Sequence, residues 1–147
     1  VLLGDHGYHL GEHGWWNKVT VFELGARGPM MMWVPGEKGM GQETDSIVEL
    51  LDLYPTLIDY CRLKAPHKLS GTSLRPVLEK PAVSRNKPAF TQVTRGKLMG
   101  YSERNDRWRY IQWGRYYRQR QRNCYFFSQN GLSDGRIGLN RSSFHFL

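Results

Sequence analysis

Long apolar runs are missing from this sequence of 147 residues. The run Met30-Met31-Met32-Trp33-Val34 is far too short to cross a bilayer, which takes about 20 residues in a helix, so no membrane partner is expected. No leader of the secretory kind is visible, and since the sequence opens on Val1 that says nothing about export. Cysteine is scarce: Cys61 and Cys124 are the two present, which excludes a disulfide-built scaffold and gives no thiolate metal spacing. Acidic residues are outnumbered, 13 against 21 basic, for a net charge of +8. Such an excess first suggests nucleic acid, but its distribution argues otherwise. From Arg115 onward six arginines face one aspartate, which is +5 of the +8. The rest of the chain carries the ordinary charge of a soluble domain, and no nucleic-acid partner is expected.

What the chain does have is one dense run. Gly4-Asp5-His6-Gly7-Tyr8-His9-Leu10-Gly11-Glu12-His13-Gly14-Trp15-Trp16-Asn17-Lys18 follows the apolar Val1-Leu2-Leu3. The first three residues read as the end of a buried parallel strand. A domain does not normally open at the end of a buried strand, so the sequence reads as a fragment lacking its N-terminal part. Asp5-His6 then falls at a strand's C-terminal end, the edge where α/β sheets bind ligands. Asp5 offers a hard anionic oxygen and His6 an imidazole nitrogen, which makes them candidate metal ligands. A turn aspartate that caps backbone N–H groups is the plainer alternative for Asp5. Glycines at 7, 11 and 14 favour a loop over a helix. Lys18, after two tryptophans, can be a fixed cation for an anionic substrate or a solvated side chain lying over Trp15 or Trp16. Glu12 and His13 can serve as acid, base or substrate contact, or form a surface turn.

Downstream, Met30 to Val34 between prolines reads as a second buried strand, its methionines filling core. Asp45 or Ser46 can cap a helix whose apolar face holds Ile47, Leu50, Leu51, Tyr54, Ile58 and Cys61, with a kink or fresh start at Pro55-Thr56. Asp52 reads as structural. Residues 73–78 form a helical turn or two. Ala89 to Thr94, Leu98 to Ser102 and Trp108 to Trp113 are short alternating strands, with turns at Arg95-Gly96 and Arg104-Asn105-Asp106. The aromatic-basic mix of the last strand reads as one buried and one solvated face.

These motifs resemble those of the type I sulfatases, within the alkaline phosphatase-like superfamily. Gly4-Asp5-His6-Gly7, Leu10-Gly11-Glu12-His13-Gly14 and Lys18 look like the metal-and-sulfate loop. Phe22-Glu23, Arg27-Gly28-Pro29, Val34-Pro35-Gly36, Leu51 to Leu57, Leu69 to Leu74, Met99-Gly100-Tyr101-Ser102 and Arg107 to Tyr110 follow in the family's order. The Asp-His pair and the C-terminal strand pattern look most like the iduronate-2-sulfatase branch. The resemblance covers residues 1–114. It implies an α/β fold: the C-terminal part of an alkaline phosphatase-like parallel-sheet domain (1–80), a small antiparallel sheet subdomain (81–114), then an atypical basic tail (115–147). It implies hydrolysis of sulfate monoesters on a small molecule or glycan by a formylglycine nucleophile. Asp5 and His6 would be ligands of a divalent cation, Ca2+ by family habit. A histidine ligand keeps Mg2+ open, since calcium prefers oxygen. Lys18 would contact the sulfate and His13 the substrate. An exported, periplasmic or lysosomal location is typical of the family.

Two departures stand out. No cysteine or serine here lies in the Cys/Ser-x-Pro-x-Arg context that yields formylglycine, so the nucleophile and remaining metal ligands are expected upstream, and the fragment alone is expected to be inactive. After Gly114 the family's acidic turn and Glu-Leu-Tyr-Asp-like strand are replaced by Arg115-Tyr116-Tyr117-Arg118-Gln119-Arg120-Gln121-Arg122, which suggests a frameshift near residue 115. Other readings are a phosphodiesterase or phosphonate monoester hydrolase of the same superfamily, or a non-enzymatic polyanion binder using its arginine tail.

Overall fold

The computed structural model describes residues 1–115 and 118–128; for 118–128 it describes the backbone. Most of the basic tail foreseen from residue 115 therefore lies outside the described residues or their side chains. The described chain falls into two compact units: Val1–Leu2 with Met30–Lys87, and Leu3–Pro29 with the described residues that follow Lys87. No helix is long and apolar enough to cross a membrane among the described residues.

Strand β1 (Leu2–Leu3) and strand β2 (Met30–Met31) form a two-stranded sheet. Both are shorter than the apolar runs suggest. Leu2 is 64% exposed, which corrects the expectation of a buried strand. A strand is covered on both faces only when neighbours and helices lie on each side, and here β1 has one neighbour. Met30 is buried, as expected of core methionine, whereas Trp33 is exposed.

In the unit containing residues 30–87, the helical segment starts later than Asp45 or Ser46. The Ser46 hydroxyl donates to the Val83 carbonyl at 2.5 Å, and the helical stretch begins only at Leu50, so neither Asp45 nor Ser46 is its cap. Glu49 caps instead, exchanging side-chain and backbone hydrogen bonds with Asp52 in a capping box, one of the arrangements that satisfy the otherwise unpaired donors of a helix start. A 3-10 turn at Leu50–Asp52 leads into helix α1, Leu53–Tyr60. Pro55 falls in the first turn of α1, where a missing N–H leaves no bond unmade. The apolar stripe of α1 is turned outward: Leu50, Leu51, Tyr54 and Leu57 are exposed, and Asp52, Pro55 and Thr56 are buried. That inverts the face expected from the periodicity.

The reason is Asp52. Its carboxylate is fully buried and accepts from the Thr72 N–H (2.8 Å), the Glu49 N–H (3.1 Å), Arg85 (2.6 Å) and Lys87 (3.3 Å). Burial works against the anion, but Arg85 and the two backbone donors outweigh it and hold the carboxyl at about 2. The Thr56 hydroxyl adds a bond to the Asp52 carbonyl and accepts from the Leu74 N–H, bringing helix α2 (Arg75–Glu79) against α1.

The other unit carries an antiparallel sheet of β3 (Ala89–Arg95), β4 (Leu98–Arg104), β5 (Trp108–Arg115) and β6 (Arg118–Ser128), in that order. The first three match the strands and turns legible in the sequence. Arg95 pairs with Leu98 across a two-residue turn in which Gly96 takes φ 55°, a conformation glycine adopts freely. At the next turn the Asn105 side chain accepts from the N–H groups of Arg107 and Trp108. The pairing of β5 with β6 is irregular between Trp113 and Arg115.

Candidate active site

The candidate site lies on residues 4–27, all in the unit that holds the antiparallel sheet. The loop is closed on itself by backbone bonds: Gly4 N–H to Pro29, Gly7 N–H to Gly25, His9 N–H to Asn17 and Gly11 N–H to Trp15. A 3-10 turn at Glu12–Gly14 and helix α3 at Glu23–Ala26, which precedes α1 in the chain, give it local order. Gly25 must lack a side chain: a Cβ there would stand 2.2 Å from the Thr20 hydroxyl.

Asp5 and His6 are brought together. The His6 Nδ1–H donates to the Gly7 carbonyl at 2.7 Å. A neutral ring holding that proton leaves the Nε2 lone pair free, and Nε2 lies 3.6 Å from the Asp5 carboxylate. Asp5 is 83% exposed and His6 34%, so both can reach a ligand. A backbone carbonyl on the far ring nitrogen is the support that metal-bound histidines usually have. The two side chains are of the donor types that a divalent cation takes. The pair offers two donors of the six or more that Ca2+ or Mg2+ takes, and no three His, Cys, Asp or Glu side chains are grouped so as to hold a metal ion among the described residues.

Lys18 is exposed, and its ammonium has no hydrogen-bond or ion-pair partner among the described residues. It does not lie over Trp15; the cation over that ring is Arg95, 3.7 Å from the centroid. His13 adopts φ 57° and stacks on Phe22 with ring centroids 4.7 Å apart. Glu12 turns back on the loop and accepts from the Leu10 N–H at 2.7 Å. Backbone donors, its own and that of Leu10, lower its pKa, which suits a structural anion better than a proton shuttle.

Sequence reasoning passed over His9. Its side chain is fully buried, with Nε2 2.8 Å from the Thr20 hydroxyl and Nδ1 without a partner among the described residues. A neutral ring needs one proton, and Nε2 is where that proton has an acceptor. Burial lowers the pKa of His9, His13 nearby lowers it further, and Glu12 opposes weakly. Arg109 was passed over as well. This buried guanidinium of β5 donates to the Val21 carbonyl (2.9 Å), the Ser102 hydroxyl (3.1 Å) and the Glu23 carboxylate. Arg104 joins Glu23 at 3.0 Å. Burial pushes the Arg109 pKa down and Glu23 resists. One carboxylate thus ties α3, and the loop before it, to β4 and β5. Strand alternation carried a signal for this, because Arg109 shares a face with Ile111.

Comparison with known proteins adds the following. Residues 11–93 match the family model described as N-sulphoglucosamine sulphohydrolase, C-terminal. The chain is 35% identical over 82 residues to an arylsulfatase of Clostridium perfringens, covering 54% of this chain and 17% of that protein. It is 36% identical over 77 residues to human arylsulfatase K, covering 52% and 14%. With a sulfatase of Formosa agariphila it shares 34% over 113 residues, covering 77% and 22%. The chain therefore spans about a fifth or less of these relatives. Its fold matches a protein solved in complex with its substrate D-glucosamine-2-N,6-O-disulfate, with TM-score 0.74 and 24% identity over 86% of this chain and 26% of that one.

Proposed function

The chain belongs to the type I sulfatase family, and from that premise we propose that it supplies the C-terminal part of a sulfuric ester hydrolase acting on a sulfated sugar. The observation that carries the assignment of roles is the Asp5–His6 pair, with its free imidazole lone pair beside a carboxylate. Asp5 and His6 would hold a divalent cation, Ca2+ or Mg2+, which when bound offsets negative charge on the sulfate oxygens. Lys18 would place a second positive charge at the sulfate and its leaving oxygen, where charge builds up as the S–O bond breaks. His13, fixed on Phe22, would contact the substrate. The nucleophile would be a formylglycine, and no Cys/Ser-x-Pro-x-Arg sequence that could yield it occurs within residues 1–147. The substrate class is drawn from the sugar bound by the structural neighbour, and we read the branch as iduronate-2-sulfatase-like from the Asp5-His6 pair and the strand pattern. An exported, periplasmic or lysosomal setting accords with this reading.

The test uses the protein as its gene encodes it. Hydrolysis of an aryl sulfate and of 2-O-sulfated uronate or 6-O-sulfated glucosamine is measured before and after chelation. Activity should fall on chelation and return with Ca2+ or Mg2+. Asp5→Asn with His6→Gln should raise the cation concentration needed by about 100-fold or more, and Lys18→Met should lower kcat/KM by about 100-fold. Cleavage of bis-aryl phosphates without sulfatase turnover would instead assign the phosphodiesterase branch.

A further inference from the structure

The hairpin joining β3 to β4 places one more cation on the site loop. The Arg95 guanidinium lies over the Trp15 ring, 3.7 Å from its centroid, and Trp15 stands three residues before Lys18. At that distance the guanidinium carbon meets the ring itself. The five guanidinium N–H donors lie in that group's own plane, at the edge, and none has a hydrogen-bond or ion-pair partner among the described residues. Arg95 is half-buried, and its backbone is fixed by pairing with Leu98 across the Gly96 turn. Lys97, exposed in that turn, adds positive potential. A guanidinium held on a ring with its N–H donors unused is pre-organised for an oxyanion, because ordering the side chain has already been met by the ring contact.

We propose that Arg95 is a specificity-determining contact for a second anionic substituent, a carboxylate or another sulfate, on the sugar whose sulfate meets Lys18. This rests on the sulfatase reading and names the substrate class more narrowly: a doubly anionic saccharide. The Arg95 fork lies on the antiparallel sheet and not on the loop that carries Asp5, His6 and Lys18, so it suits a group other than the scissile sulfate. The planar fork takes two oxygens of either anion in parallel.

The experiment compares wild type, Arg95→Gln and Arg95→Lys in the protein as its gene encodes it. Affinity is measured for N-acetylglucosamine 6-sulfate against glucosamine-2-N,6-O-disulfate, and for a 2-O-sulfated uronate against its methyl ester. The readout is competition against aryl sulfate hydrolysis, or direct calorimetry if no hydrolysis is seen. The expected result is a wild-type preference for the doubly anionic member of at least one pair, reduced about 10- to 100-fold in Arg95→Gln. The pair that responds tells sulfate from carboxylate. An undiminished preference in Arg95→Gln, or no preference in wild type, overturns the proposal. If Arg95→Gln does not fold, Arg95→Lys carries the comparison, with a several-fold reduction expected and none overturning. Absence of hydrolysis with Arg95-dependent discrimination would sink the sulfatase reading alone; hydrolysis with Arg95-independent discrimination would sink this inference alone.

Discussion

His9 is the fully buried side chain of the site loop, and its chemistry sets a pH dependence. Its folded pKa lies below the ordinary 6.5, so between the two values the unfolded chain binds more protons. Stability is then full above about pH 6.5 and declines as pH falls below it. The thermal midpoint should drop from about pH 7.5 to 5.5, and His9→Gln, which keeps a donor for Thr20 but cannot titrate, should flatten that drop. An equal slope in both proteins would show that another group is responsible. Asp5, His6, His13 and Lys18 were legible at this scale because metal-type donors and a cation crowd one short run. His9 was not, since three histidines in one run look alike until burial separates them. Arg109 was not, because the alternation of the strand gives one buried and one solvated face without saying which is which, and the inward positions are Arg109 and Ile111 while Trp108 is exposed.

Among the elements, α1 shows how a polar group can override a hydrophobic stripe. Asp52 fixes the helix start, residues 71–72 and residues 85–87 through four hydrogen bonds. Removing it leaves Arg85 beside a cavity without its carboxylate, and Lys87 with Glu49 alone. Asp52→Ala should therefore destabilise the protein by about 3–5 kcal/mol in denaturant unfolding, whereas a surface aspartate such as Asp45 should change it by about 0.5 kcal/mol or less. The existence of this helix was legible from its periodicity. Its start was not, because Glu49 and Asp52 form the capping box where Asp45 or Ser46 was the expected cap, and its buried face was not, because it follows from partners of Asp52 that lie 20 to 35 residues away in sequence. The meander read more faithfully, since alternation and turn chemistry are local properties that its three strands and two turns all satisfy.

For the molecule as a whole, purified residues 1–147 should give no measurable sulfatase turnover, the nucleophile signature being absent from them, and detectable turnover would refute that. Leu50, Leu51, Tyr54 and Leu57 lie exposed together, so the same preparation should bind a hydrophobic dye and self-associate with rising concentration. The frame of the gene beyond residue 115 is a separate question answered by nucleotide sequence: a shifted frame that restores the family's acidic strand confirms a frameshift, and none that does so retires it. Heparin retention lost on deletion of 115–147 would instead favour a genuine basic tail. The family order of motifs made this scale legible up to residue 114, and what lay beyond it in sequence had no pattern to match.

The clasp of Glu23 by Arg109 spans 86 residues of chain. At about 5–20 residues per second of synthesis, the arginine leaves the ribosome roughly 4–17 s after the carboxylate it secures. For that interval the candidate site loop exists without its anchor, and a nascent chain stopped short of residue 109 should expose the loop to protease where one stopped well beyond β5 protects it. The timetable of translation, as much as the geometry of the finished sheet, decides when this site can first take shape.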